Sequence, residues 1–311
     1  MAKVLRIVSI AAAGIVALIV IILAVLKILS GLPTPSKNYW EEIETAGEIE
    51  AKYLQYGAYE TSYYEEQTLQ WFEKYEIHYP SELETADKQY PVIVVCNGTG
   101  MTASKSKYIL DHYASWGFIV IGNEETYSWN AFGAEMAIRH LQRLNDSPTI
   151  NDKNNIFFQK IDFDNVGIIG HSQGGVGVFN AITNTDHKEI YKTAISLSPT
   201  NKELAAALEW PYDATKIDIP IMLVSGAGGG DDWVVTLEGL TDIYNDISSD
   251  KLMLRRKNTP HGSTGHAENG YVIAWFMWQL QGDEEAAKAF VGADAEILDN
   301  SLYQDQQIQF D

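Results

Sequence analysis

Gly170-His171-Ser172-Gln173-Gly174 fits the pattern G-x-S-x-G, with the β-prone run "VGII" before it and the helical pattern "GVGVFNAI" after it. A serine held at a sharp strand-to-helix turn exposes its hydroxyl at the sheet's edge. Glycines on both sides remove side chains that would clash with the adjoining strand and helix. Unpaired N–H groups at the start of the helix aim toward that hydroxyl and favour negative charge developing there. The chemistry implied is nucleophilic attack by Ser172, which needs a base within reach and a carboxylate to orient the base. The bland reading is a Gly-rich turn whose serine caps the helix; the strand before and the helix after favour the nucleophile.

Three histidines follow Ser172: His187, His261 and His266. His187 lies in the polar run "NTDHKEI" and reads as a surface residue. His171 is set aside as base, because its side chain leaves the turn in the wrong direction. The spacing of His261 and His266 is no metal signature, and the sequence holds neither H-E-x-x-H nor paired cysteines. "GAGGG" (226–230) lacks the Lys-Ser/Thr of a phosphate loop. No metal and no cofactor is therefore expected.

The elements that must position these residues follow from periodicity. "YETSYYEE" and "WFEKYEIHYP" predict an antiparallel pair. "PVIVVC" has the unbroken apolar character of a strand buried on both faces. A helix near 104–115, the strand "GFIVIG", a helix near 131–144 and the strand "VGIIG" come next, then the helix after Ser172. "TAISLS", "IPIMLVSG" and "KLMLRRK" are strands, and "GYVIAWFMWQL" opens a closing helix. This alternation predicts an α/β fold, a mostly parallel sheet with helices on both faces. Residues 55–311 form that domain, with the tail after residue 291 as a peripheral extension. Residues 30–54 read as a linker and acidic approach segment.

Ile7 to Leu26 carries no charged residue and as a helix would be about 30 Å long, enough to span a hydrocarbon core. A cleaved signal has a shorter apolar stretch and a small-residue cleavage site, and "ILSGLPTPS" is a poor one. Residues 1–29 are thus expected to be an N-terminal transmembrane anchor. Lys3 and Arg6 keep the short tail cytoplasmic, which places the α/β domain outside a single-pass cell membrane. The formal net charge of −20 repels phosphate backbones and excludes nucleic acid as an expected partner. Cys96 is the only cysteine, so no intramolecular disulfide forms, and its apolar run predicts a buried, inert thiol.

With these motifs in order, the chain resembles the α/β-hydrolase superfamily. It is most similar to the compact lidless branch of cutinase-like and dienelactone-hydrolase-like serine esterases and lipases. "PVIVVCNGTG", "YASWGFIVIG", "IDFDNVGIIGHSQGG", "IPIMLVSGAGGGDD" and "NTPHG" carry the resemblance across residues 55–291. It implies the order serine, acid, histidine. His261, in "NTPHGS" after "KLMLRRK", stands where the family has its base, and His266 opens the last helix as a capping or pocket-rim residue. Asp231 is the first choice for the acid and Asp232 the alternate, since both fit a D-x-x-V shape. The resemblance points to the backbone N–H groups of Thr99 and Gln173 as the oxyanion hole. Asn97-Gly98-Thr99 is formally a glycosylation sequon, discounted because it should floor the active site.

The family's polyester hydrolases have an aromatic residue at the first oxyanion position and a tryptophan after the sixth strand. Thr99 and Thr200 occupy those positions here, with Trp129, Trp233 and Met101 as alternative pocket residues. About twenty residues between "SLSPT" and "IPIML" leave no room for a large lid. The expected activity is hydrolysis of small to medium acyl esters, small molecules being the partner. An acyltransferase on the same residues and a catalytically silent, surface-anchored binding protein are the alternatives.

Overall fold

Strands with apolar side chains at odd and even positions alike must be covered on both faces. The computed structural model describes residues 34–310 and shows how this is done. The sheet comprises β1 (Thr61–Gln67), β2 (Lys74–Pro80), β3 (Tyr90–Cys96), β4 (Ile119–Asn123), β5 (Ile161–His171), β6 (Tyr191–Leu197), β7 (Ile221–Ala227), β8 (Lys251–Lys257) and β9 (Tyr303–Gln309). Their order is β1-β2-β4-β3-β5-β6-β7-β8-β9. The inner strands from β4 to β8 run parallel, and β1, β2 and β9 pair antiparallel at the edges. The predicted mostly parallel α/β sheet is thus present.

The described helices longer than five residues that matter to the site are α1 (Glu48–Tyr53), α2 (Lys107–Ala114), α3 (Phe132–Asp146), α4 (Gln173–Asn184), α5 (Leu237–Asp246) and α6 (Asn269–Gln281). Side chains of α3, α4 and α5 pack on one face with Val94 and Ile168. Those of α1, α2 and α6 pack on the other with Ile93 and Ile169. Consecutive strand residues thus feed opposite cores, as the two-residue period of a strand requires. Parallel strands end together, so the turns after β3, β5, β6, β7 and β8 gather at one edge, where such sheets place their sites.

Two segments differ from the sequence expectation. The tail after residue 291 is not peripheral: β9 completes the sheet beside β8, and Phe310 packs on Trp275 and Trp278. The acidic approach segment is likewise packed in, through one charged residue. Glu50 of α1 is 1% exposed and pairs with Arg256 of β8 at 3.0 Å. Its carboxylate also accepts from Tyr303 Oη and Asn300 Nδ2, both at 2.8 Å. Glu296 receives the N–H groups of Ile49 and Glu50 at the start of α1. The packing of this segment is not written in its local sequence, because its partners lie more than 200 residues away.

The run Ile7–Leu26, expected as the membrane anchor, lies outside the described residues. Among the described residues no helix is long and apolar enough to cross a membrane.

Candidate active site

β5 ends at His171 and α4 begins at Gln173, leaving Ser172 alone in the turn with φ 60° and ψ −120°. A non-glycine residue held there costs on the order of 1–3 kcal/mol, which the surroundings must over-determine. Ser172 N–H donates to Leu197 O at 2.8 Å, and Ser172 O accepts from Gly175 N–H at 2.9 Å. The flanking glycines have a steric reason. A Cβ on Gly170 would lie 2.2 Å from Gly174 O, and one on Gly174 would lie 2.2 Å from Cys96 O.

His261, in the loop after β8, brings Nε2 to 2.9 Å from Ser172 Oγ. Its Nδ1 is 2.6 Å from Asp231 Oδ1. A carboxylate only accepts, so Nδ1 carries the proton and Nε2 is left to accept from the serine hydroxyl. Asp231 is fully buried, and its Oδ2 accepts from Ser198 Oγ at 2.8 Å and from Gly226 N–H. Asp232 turns the other way: its side chain is 52% exposed, pairs with Arg255 and accepts from Gly228 N–H. Of the two candidates, Asp231 alone is joined to His261.

His171 braces the base without serving as one. Its Nε2 lies 2.8 Å from His261 O and 2.9 Å from Thr264 Oγ1, with the two imidazoles 4.6 Å apart. Desolvation, then the neighbouring His261, push its pKa down to about 3. Neutral His171 therefore holds the His261 backbone by donating to its carbonyl. Thr264 Oγ1 also reaches His261 O at 2.8 Å and Ser198 Oγ at 2.7 Å.

Thr99 lines the same pocket as Ser172, and the loop before it approaches closely. A Cβ on Gly98 would meet His171 O at 3.1 Å and Ser172 Cβ at 3.8 Å. Asn97 is 4% exposed and donates to Asn123 O and Glu125 O, both at 2.8 Å, so its amide is committed inside the fold. Ser128 ties the two sides of the site together. Its hydroxyl donates to Asn97 O, and its N–H donates to Gln173 Oε1 at 2.9 Å. Burial raises the Cys96 thiol pKa far above its ordinary value, as an inert core thiol requires.

The pocket beside Ser172 has a volume of about 510 Å³; Met101 and Trp233 line it and Trp129 does not. Thr200 is buried and also lies outside the lining. His266 lines the pocket ahead of α6, and burial lowers its pKa to about 4. His187 lies outside the pocket lining and pairs with Glu135 at 2.7 Å. Ser128, Ser198 and Thr264 escaped the sequence reading because each acts through a tertiary contact. The only local hint was that Ser198 follows a strand at the same sheet edge as Ser172.

Sheet order and the strained serine turn are those of the α/β-hydrolase superfamily, in its cutinase-like and dienelactone-hydrolase-like branch of esterases. Within it, the chain belongs to the PET hydrolase-like family, whose profile matches residues 45–307. That match begins ahead of α1, consistent with the approach segment being part of the packed unit. Membership makes the chain, in general terms, a carboxylic ester hydrolase of the serine type. No curated protein matches it.

Proposed function

We propose that Ser172, His261 and Asp231 form a catalytic triad that cleaves small to medium acyl esters through an acyl-enzyme. The observation that carries this reading is the chain of hydrogen bonds from Ser172 Oγ through His261 to buried Asp231. His261 Nε2 takes the serine proton as Oγ attacks the ester carbonyl, and Asp231 stabilises the imidazolium that results. The N–H groups of Thr99 and Gln173 bind the tetrahedral oxyanion. Each such donor contributes about 3–4 kcal/mol to the transition state. His261 then protonates the departing alcohol, and water repeats the sequence on the acyl-enzyme.

The family's name points to PET, and two features argue for a smaller substrate here. Thr99 replaces the aromatic side chain expected at the first oxyanion position, and buried Thr200 offers no aromatic surface to the pocket. The sequence of residues 1–29 supports anchoring at the outer face of a cell membrane, with the hydrolase domain extracytoplasmic.

A fluorophosphonate probe and a panel of p-nitrophenyl esters test the reading. Labelling and turnover are expected in the wild type and absent in Ser172→Ala. A folded wild-type protein that neither labels nor turns over any ester would sink the assignment.

A further inference from the structure

The pocket beside Ser172 extends from the serine toward α2. The β6–β7 connection holds only a short helix, Lys202–Ala207, and a 3-10 turn, Ala214–Lys216, so nothing large folds over the serine from that side. Depth comes instead from the sheet face covered by α2. Ile109, Leu110 and Tyr113 of α2 bound one side of the pocket, and Val95, Ile169 and Leu197 at the strand ends bound the other. Leu110 and Tyr113, 1% and 2% exposed, form its α2 end. The Tyr113 hydroxyl is committed to Asn269 Oδ1 at 2.9 Å, so that end is rigid and presents ring carbon.

Among the described residues no Asp, Glu, Lys or Arg lines this cavity, although the chain as a whole carries a net charge of −20. Besides the base His261, two imidazoles stand on its wall, His171 and His266, and burial holds both neutral. A substrate group entering here meets mostly apolar carbon and, among the described residues, no charged side chain with which to pair. The reaction fixes which group that is. The leaving alcohol must lie within reach of His261 Nε2, at the rim where Trp233 is 69% exposed and 6.0 Å from the His261 ring. The acyl substituent takes the remaining direction, past Met101 and beneath α2.

We infer that the α2 cavity is an acyl subsite for a neutral, unbranched aliphatic chain of medium length, closed by Leu110 and Tyr113. This rests on the ester-hydrolase reading and deepens it by naming the acyl class. The alcohol portion projects toward solvent and is selected weakly.

The test is a p-nitrophenyl series from acetate through butyrate, hexanoate, octanoate and decanoate to palmitate. Each methylene accepted by the cavity raises kcat/KM by up to about fourfold, so the profile climbs from acetate to a maximum at medium length and falls at palmitate. Ile109 is only half-buried, and Ile109→Trp fills the cavity from its mouth. The ratio of octanoate to acetate kcat/KM is expected to drop at least tenfold in that variant. Inactivation of the wild type by straight-chain alkyl fluorophosphonates gives the same profile without any substitution. Acetate turnover with a flat or falling series, or an unchanged ratio in Ile109→Trp, would overturn the acyl subsite alone. Failure of every ester, acetate included, would instead overturn the hydrolase reading beneath it.

Discussion

Asp231 and Asp232 are adjacent in sequence and serve opposite surroundings. Asp231 Oδ1 meets His261 Nδ1 at 2.6 Å inside the fold, while Asp232 faces outward and pairs with Arg255. The 3-10 turn that begins at Asp231 separates the two directions. Asp231→Asn should keep the shape of the site and lose the correct imidazole tautomer, lowering kcat by about 10⁴. Asp232→Asn should cost far less activity and show its effect in Tm, through the lost ion pair with Arg255. Steady-state kinetics and thermal melts on the two variants decide it; equal losses of kcat would mean the orienting carboxylate is misassigned.

Ser128 connects the backbone that precedes Thr99 to the side chain of Gln173. It is therefore a positioning residue for both proposed oxyanion donors. Ser128→Ala removes the bond to Asn97 O and frees the loop to drift. A displacement of about 1 Å in such a site costs up to roughly 10² in rate. The expected result is a ten- to hundredfold fall in kcat with KM nearly unchanged. A loss confined to KM, or none, would show that the tie does not position the donors.

Which parts of this were legible in sequence follows from the range of the interactions. The elbow at Ser172 could be read because its signature is local, G-x-S-x-G between a strand run and a helical pattern, although the clash that demands Gly174 comes from Cys96 O on the neighbouring strand β3. The parallel sheet could be read because strands buried on both faces are written as unbroken apolar runs. Asp231 could be ranked ahead of Asp232 but not separated from it, since both satisfy the same local spacing and the positions of His261, Ser198 and Arg255 distinguish them. The tail "SLYQDQQIQFD" looked polar because β9 is an edge strand with one paired side, and edge strands need few apolar residues. Its anchor, Tyr303, is recognisable only once Glu50 and Arg256 are in place beside it.

That cluster makes a stability prediction. Glu50 and Arg256 form a buried ion pair joining α1 to β8, with Tyr303 and Asn300 completing the hydrogen bonds. Removing one partner of such a pair leaves the other charge buried and uncompensated, at a cost of about 3–5 kcal/mol. Glu50→Ala should therefore lower the denaturation midpoint strongly. Where the variant is still folded, kcat should be retained, because the cluster touches none of the triad residues. An unchanged urea midpoint would show that the pair contributes nothing net.

Glu125 gives a pH-dependent prediction of opposite sign to the usual carboxylate. One oxygen accepts from Gly133 N–H at the start of α3, at 3.0 Å, and the other is buried without a hydrogen-bond partner. Burial, only partly offset by that bond, raises its pKa from 4.5 to about 7. Between those two values the folded chain binds more protons than the unfolded chain, so its stability falls as pH rises. The contribution is fully present below about pH 4.5, declines through about pH 7, and is absent above it; its size is on the order of 3 kcal/mol. Glu125→Gln keeps an acceptor for Gly133 and removes the titration. The variant should match the wild type near pH 4.5 and be the more stable of the two at pH 8, both followed by urea denaturation. A constant difference between them across that range would mean Glu125 does not titrate in the fold.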